Sequence, residues 1–277
     1  MKKTKAATPI RPFLKWAGNK YRLVERIVAA LPEGTRLVEP FAGSGALFLN
    51  SDYKRYLLCD ANGDLITLYQ ILKEQGERFI EACRPLFSEE NNQSAQYYAL
   101  RDEFNACHDP LRRSVLFVYL NRHGYNGLCR YNAKGGFNVP FGRYKRPYFP
   151  VDEMRAFHHK AQRAIFRHQD FTATLAKPKP GDVIYCDPPY VPLSESANFT
   201  AYSAGGFSLE QQQQLVELAR EAALLQVPVL ISNHDTRFIA RLYRGAKVSR
   251  FQVQRSISCN GKRRGSAGEV LALFSAK

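Results

Sequence analysis

The strongest constraint in this sequence is an alternation and the place where it stops. Short apolar runs rich in branched and aromatic residues recur at Leu37-Val38-Glu39, Tyr56-Leu57-Leu58-Cys59-Asp60, Ala164-Ile165-Phe166-Arg167, Asp182-Val183-Ile184-Tyr185-Cys186 and Pro228-Val229-Leu230-Ile231-Ser232. Runs of this length, bounded by turn residues and separated by helix-periodic stretches, read as buried strands. Strands alternating with helices predict an α/β fold on a mixed, mostly parallel sheet, and the extended runs at 247–254 and 270–274 predict an antiparallel edge. Between about 63 and 124 only helical spacing remains (65–87, 95–105, 111–120), which marks an inserted helical unit. The expected organisation is a body in two parts, 1–61 and 151–277, around an insert at 62–150.

In an open α/β sheet, ligands sit beyond the carboxyl ends of the strands, so the residues just past each strand carry the chemical information. The run 182–186 passes directly into Asp187-Pro188-Pro189-Tyr190. An ionised aspartate only accepts hydrogen bonds, and an exocyclic amino group has two to give. Carbonyl oxygens of the Pro188-Pro189 segment could take the second, because neither proline has an N–H to compete. Tyr190 offers a ring for a planar base, a contact worth ~1–3 kcal/mol. An aromatic amine held this way loses conjugation of its lone pair and becomes a nucleophile. The same four residues also suit a plain strand-end turn.

Phe41-Ala42-Gly43-Ser44-Gly45 leads from the run 37–39 into a helix starting near Ala46. Such a turn lets backbone approach a ligand closely, although it could equally be only a tight turn. It is not the dinucleotide fingerprint, since Phe48 replaces the third glycine, and it lacks the Lys-Ser/Thr pair of a P-loop. Asp60 ends the next strand 15 residues after Gly45, where an acid commonly takes ribose hydroxyls. Turn and acid together point to a nucleoside-bearing cofactor, while Asn62 is the better cap for the next helix.

The partner is indicated by charge. With 40 Lys+Arg against 25 Asp+Glu the formal net charge is +15, the mark of a protein that meets a polyanion, nucleic acid or an anionic membrane surface. At 45% hydrophobic and 12% aromatic residues the chain is not a disordered basic tail. No run reaches the ~18 apolar residues of a membrane span, and Pro9, Arg11 and Pro12 interrupt the basic leader before a signal core could form. Cys59, Cys83, Cys107, Cys129, Cys186 and Cys259 are scattered without a C-x-x-C pair. Reduced thiols in a cytoplasmic protein are expected, not a zinc site. From Asn121 to Arg146, Arg, Asn, Tyr and Gly interleave outside any core pattern; they suit base-edge contacts and stacking, though a solvated hairpin of turns would look similar. Residues 191–207 read as a polar lid and 256–265 as a basic loop for phosphate. Ser208-Leu209-Glu210-Gln211 reads as a capping box, His234 as a structural histidine, and Asp235 as a cap for the next helix.

Phe13-Leu14-Lys15-Trp16-Ala17-Gly18, Phe41-Ala42-Gly43-Ser44-Gly45 and Asp187-Pro188-Pro189-Tyr190 occur in that order, with the long insert between the last two. This arrangement resembles the alpha group of amino-directed DNA methyltransferases. The segments 121–146, 194–202 and 255–261 resemble its Dam type, which methylates adenine N6 in GATC. The resemblance covers nearly the whole chain from Phe13. It implies a catalytic S-adenosyl-L-methionine-binding domain (1–61 and 151–277), a target-recognition insert (62–150), double-stranded DNA as partner, a monomer, and no metal. By match, Trp16, Lys20, Phe41, Ala42, Gly43, Ser44, Gly45, Asp60 and Asp187 would form the cofactor pocket, and Asp187, Pro188, Pro189 and Tyr190 the catalytic corner. Lys15, Tyr125, Asn126, Leu128, Arg130, Pro140 and Arg143 would contact DNA, with Tyr125 as the wedge where the adenine leaves. Two positions depart from the family pattern: Asn19, where glycine is common, and Gly136, usually a larger polar residue. Cytosine-N4 methylation needs the same amine clamp and is the nearest alternative; a non-catalytic DNA-binding regulator is another.

Overall fold

The computed structural model describes residues 8–191, 207–254 and 266–276. In chain order the elements are α1 (Val24–Ala30), β1 (Arg36–Glu39), α2 (Ala46–Asn50), β2 (Arg55–Asp60), α3 (Gly63–Gln75), α4 (Glu77–Cys83), α5 (Ser94–Ala106), α6 (Pro110–His123) and α7 (Val151–Ala161). Next come β3 (Ala164–His168), α8 (Phe171–Leu175), β4 (Asp182–Cys186), α9 (Leu209–Leu224), β5 (Val229–His234), α10 (Arg237–Leu242), β6 (Lys247–Gln254) and β7 (Ser266–Phe274). They fall into two compact units: one holds residues 1–28, 42–52 and 62–168, the other 29–41, 53–61 and 169–277. The segment 62–150 lies within the first of these.

In the second unit neighbouring strands run β2-β1-β4-β5-β7-β6. β1 pairs in parallel with β2 and β4, and β4 with β5, whereas β7 is antiparallel to both β5 and β6. This is the mostly parallel sheet with an antiparallel edge that the sequence predicts. β7 begins at Ser266 rather than at 270, because Ala267, Gly268 and Glu269 extend the pairing with β6 without extending the apolar run. Every residue of β4 is buried, as a strand covered on both faces should be. Leu215, Val216 and Ala219 of α9 share one core cluster with Ile184, Cys186, Val229 and Ile231. The register of β1 against β4 sets Arg36 opposite Asp182, where the guanidinium grips the carboxylate at both oxygens, 2.7 and 2.6 Å. From β1 the chain moves to β2 on one side while β4 lies on the other, so a topological switch point falls between β1 and β4. Glu39, Asp60, Cys186 and His234 end their strands on the same edge.

Among the described residues the regular elements of the first unit are helices apart from β3, and aromatic packing holds them. Phe13 packs against Phe157 at 5.2 Å and Tyr69 at 6.0 Å, which anchors the segment carrying Lys15 and Trp16 onto α7 and α3. Phe137 packs edge-on against Phe104 at 5.6 Å. Its backbone N–H and C=O are both bonded to the Asn105 carboxamide, at 2.7 and 3.1 Å. Ahead of β1 the chain forms a 3-10 turn, Tyr21–Leu23, continued by α1.

Candidate active site

The corner Asp187–Tyr190 leaves β4 at the switch point and is held from β5, β7 and α9. Ser232 Oγ donates to Asp187 Oδ1 at 2.9 Å, and with that proton committed the Tyr185 hydroxyl donates to Ser232 Oγ at 3.0 Å. An ionised carboxylate has about four acceptor positions, so this bond orients Asp187 without exhausting it. Gln212 Nε2 donates to the Pro189 carbonyl at 2.8 Å. The Pro188 carbonyl, next to Asp187 in the chain, has no hydrogen-bond partner among the described residues. The structure thereby distinguishes two carbonyls that the sequence leaves equivalent. The Tyr190 ring meets the His234 ring edge-on at 4.8 Å, and its hydroxyl donates to Glu269 Oε2 at 3.3 Å. Burial, and after it the Asp187 charge, push the Tyr190 phenol well above its ordinary pKa, so it stays a donor. His234 Nδ1 bonds the Val191 carbonyl at 2.8 Å, the structural role expected of it. The expectation for Asp235 is corrected: Thr236 caps α10 through Ile239 N, while Asp235 turns to Arg250 at 3.4 Å. The extended backbone at Thr236 puts its hydroxyl within reach of an orphan N–H in the first turn of the helix.

Phe41 and Asp60 belong to the same unit. Phe41 stacks on Phe171 at 5.6 Å and meets Phe207 edge-on at 5.6 Å, and Asp60 stands at the carboxyl end of β2. The strand pattern draws no attention to Glu39, yet it is a carboxylate only 3% exposed at the end of β1. A buried acid there suits a cationic ligand group. Ser232, Gln212 and Glu269 are likewise invisible in the sequence, because each touches the corner only through folding of distant segments.

In the first unit the glycine turn and the tryptophan come together. Gly43 has φ 47°, and a Cβ on it would stand 3.1 Å from Trp16 Nε1, so the indole lies against bare backbone. Tyr69 Oη donates to the Gly43 carbonyl and fixes the turn. Ala42 and Ser44 are buried beside it, as is Gly45. Lys20 is 8% exposed, its ammonium bonded to the Gly18 carbonyl at 2.7 Å. Asn19 has no positive φ that would call for glycine, and its side chain accepts from Tyr21 N at 2.7 Å, opening the 3-10 turn.

The segment 121–146 is pinned at Phe137 and Val139, both buried, and by bridges pairing Gly124 with Phe141 and Tyr131 with Phe137. Tyr125, Asn126, Arg130 and Pro140 are left exposed, as is Arg143, and Leu128 is half-buried. The Arg130 guanidinium is aligned by Asn138, with Nε to the amide oxygen at 2.8 Å and Nη2 to the backbone carbonyl at 3.0 Å. Asn126 and Arg143 both adopt φ 52°, backbone that non-glycine residues rarely take and that clusters at binding loops. Lys15 is tied to this segment: its ammonium bonds the Arg122 carbonyl at 3.2 Å and lies 3.8 Å over the Tyr144 ring. Burial, and then the Arg122 charge, lower its pKa from 10.5 to about 8. The expected lid (191–207) apart from its two end residues, the phosphate loop (256–265), the matching segments 194–202 and 255–261, and the first part of the leader lie outside the described residues. No helix among the described residues is long and apolar enough to cross a membrane.

This chain is 54% identical to a DNA adenine methylase of Salmonella typhi over 264 residues, 95% of each chain. It is 53% identical to one of Escherichia coli K12 over the same shares and 51% identical to one of Haemophilus influenzae, over 96% of this chain and 94% of that one. Among solved structures a precorrin-6y C5,15-methyltransferase of Geobacter metallireducens aligns with a TM-score of 0.41 at 9% identity, over 95% of this chain and 98% of that one, too distant to bear on the site. The family model for D12 class N6 adenine-specific DNA methyltransferases matches residues 16–257. From the glycine turn through the proline corner, the chain is a member of the D12 class N6 adenine-specific DNA methyltransferase family.

Proposed function

We propose that the protein transfers a methyl group from S-adenosyl-L-methionine to N6 of an adenine turned out of double-stranded DNA, at GATC. The carrying observation is the corner at the switch point: a carboxylate oriented by Ser232, followed directly in the chain by Pro188, and a ring fixed by Glu269 and His234. Asp187 accepts one N6–H and the Pro188 carbonyl the other, which turns the nitrogen lone pair out of conjugation, while Tyr190 stacks on the base. As the nitrogen gains positive charge, the Asp187 carboxylate stabilises it. Catalysis is then positioning plus electrostatics, and the proton leaves an amine made acidic by its new methyl.

The methyl donor supplies an electrophilic methyl on a sulfonium. The residues fit such a molecule: Asp60 suits its ribose hydroxyls, the buried Glu39 a cationic group, and the turn Phe41–Gly45, with Trp16 against Gly43 and Lys20 nearby in sequence, a close-lying adenosyl group. The segment 62–150 acts as the target-recognition domain, and 1–61 with 151–277 as the catalytic domain. Extruding a base costs a few kcal/mol, offset by phosphate contacts of a +15 protein. Tyr125 fills the vacated stack, Leu128 and Pro140 meet thymine methyls, Arg130 reads a base edge, and Lys15, Asn126 and Arg143 complete the contact surface. The protein works as a cytoplasmic monomer on DNA. Incubation with tritiated S-adenosyl-L-methionine and plasmids carrying or lacking GATC tests this, with chromatography of the digested product. Label confined to the GATC plasmid as N6-methyladenine is expected. Equal labelling of both plasmids removes the site, N4-methylcytosine changes the amine, and no label supports the regulator.

A further inference from the structure

We infer that Gln212 and Asn233 form a buried brace that positions the amine-accepting corner, making Gln212 a positioning residue for methyl transfer; the inference rests on the roles of Asp187 and Pro188 proposed above. A Pro-Pro segment cannot donate a backbone hydrogen bond, so this corner depends on groups around it. Gln212, on the first turn of α9 and 1% exposed, supplies the donor to the Pro189 carbonyl. Its register is set by the capping box that opens the helix, where Ser208 Oγ accepts from Gln211 N at 3.2 Å and Ser208 N donates to Gln211 Oε1 at 2.8 Å. Gln212 Oε1 in turn accepts from Asn233 Nδ2 at 3.1 Å.

Asn233, fully buried near the end of β5, carries the brace to the other side of Tyr190. Its Oδ1 accepts from Val191 N at 3.2 Å, and its Nδ2 also donates to Tyr243 Oη at 3.2 Å. The residues before and after Tyr190 are thus held by two linked carboxamides. Buried amides weaken a fold unless bonded, and an apolar side chain would fill the space between α9 and β5 at less cost. What these amides contribute is the place of the corner. Without the Gln212 donor the Pro189 carbonyl loses the bond that fixes its position, and displacements near ~1 Å at such a corner cost on the order of 10²-fold in rate.

The test uses the full-length protein with Gln212→Met, which keeps the length but has no donor, and Gln212→Glu, which keeps an acceptor for Asn233 while losing the donor to Pro189. Single-turnover methyl transfer, the KM for S-adenosyl-L-methionine, the Kd for duplex DNA and the melting temperature are measured for each. The transfer rate should fall roughly 10- to 100-fold, with KM and Kd within about twofold of wild type. A wild-type rate in either variant overturns the brace, as does a rate loss matched by equal losses in both binding constants, or failure of both variants to fold. Asp187→Ala is run alongside. Normal transfer by Asp187→Ala would sink the proposed role of the corner, whereas active Gln212 variants beside an inactive Asp187→Ala would sink the brace alone.

Discussion

Gly127 lies in the middle of the proposed reading loop, between Tyr125 and Leu128, with φ 61°. Alanine there would adopt the left-handed region, at about 1–2 kcal/mol. Its Cβ would also overlap Lys15 Cβ and stand 2.6 Å from Lys15 Cδ, contacts that a packed stem cannot tolerate. In the free protein the loop can relieve both by moving, which also forfeits the bond from Asn121 Nδ2 to the Gly127 carbonyl at 3.2 Å, worth about 1 kcal/mol. Specific DNA must pull the loop back, which regains that bond but reimposes the backbone strain and an overlap costing about 1–3 kcal/mol, so the net penalty in binding is about 1–4 kcal/mol, or roughly 5- to 1000-fold in Kd. Fluorescence anisotropy with a GATC duplex and a scrambled duplex measures it. Gly127→Ala should weaken the first by that factor, leave the second within about threefold, and leave the KM for the methyl donor nearly unchanged. Specific affinity within twofold of wild type would refute the claim that this backbone conformation is needed to read DNA.

Three further outcomes are expected. Folded Lys15 gives up its proton near pH 8 and unfolded Lys15 near 10.5, so the unfolded chain binds more protons across that window. Stability should therefore rise with pH there, and DNA binding, which favours the charged ammonium, should weaken above pH 8. Lys15→Met should flatten both dependences, read by melting temperature and Kd against pH. Asp182→Asn removes the carboxylate from a pair in which Asp182 is 4% exposed, and should cost about 3 kcal/mol in urea denaturation; a change below about 0.5 kcal/mol would mean the pair does not hold β1 against β4. Arg130→Ala should relax discrimination at one base pair by about 1–3 kcal/mol, and Asn138→Ala part of that, measured on duplexes with single substitutions. Unchanged preference would remove Arg130 from the readers.

Strands and turns are legible in the sequence because their signals are local. The apolar run of β4, the Asn62 cap on α3, which accepts from Leu65 N at 3.1 Å, and the Ser208 capping box all lie within a few residues of what they act on. The three motifs, being contiguous, are equally readable. The supports of the corner depend instead on contacts across the chain: Ser232 meets Asp187 from β5, Gln212 reaches Pro189 from α9, and Glu269 meets Tyr190 from β7. Asp235 looks like a cap because sequence shows that an acid precedes a helix but not that its partner, Arg250, arrives from β6. Glu39 ends an apolar run and carries no local signal, since burial of a strand's last residue depends on what later covers it.

The most direct measurement is single-turnover methyl transfer by Asp187→Ala on a GATC duplex, paired with the duplex Kd of the same preparation. If a carboxylate and the Pro188 carbonyl grip the target amine, transfer falls by several orders of magnitude while duplex affinity stays within a fewfold of wild type. Transfer at a rate near wild type, or affinity and transfer falling together by the same factor, would contradict it.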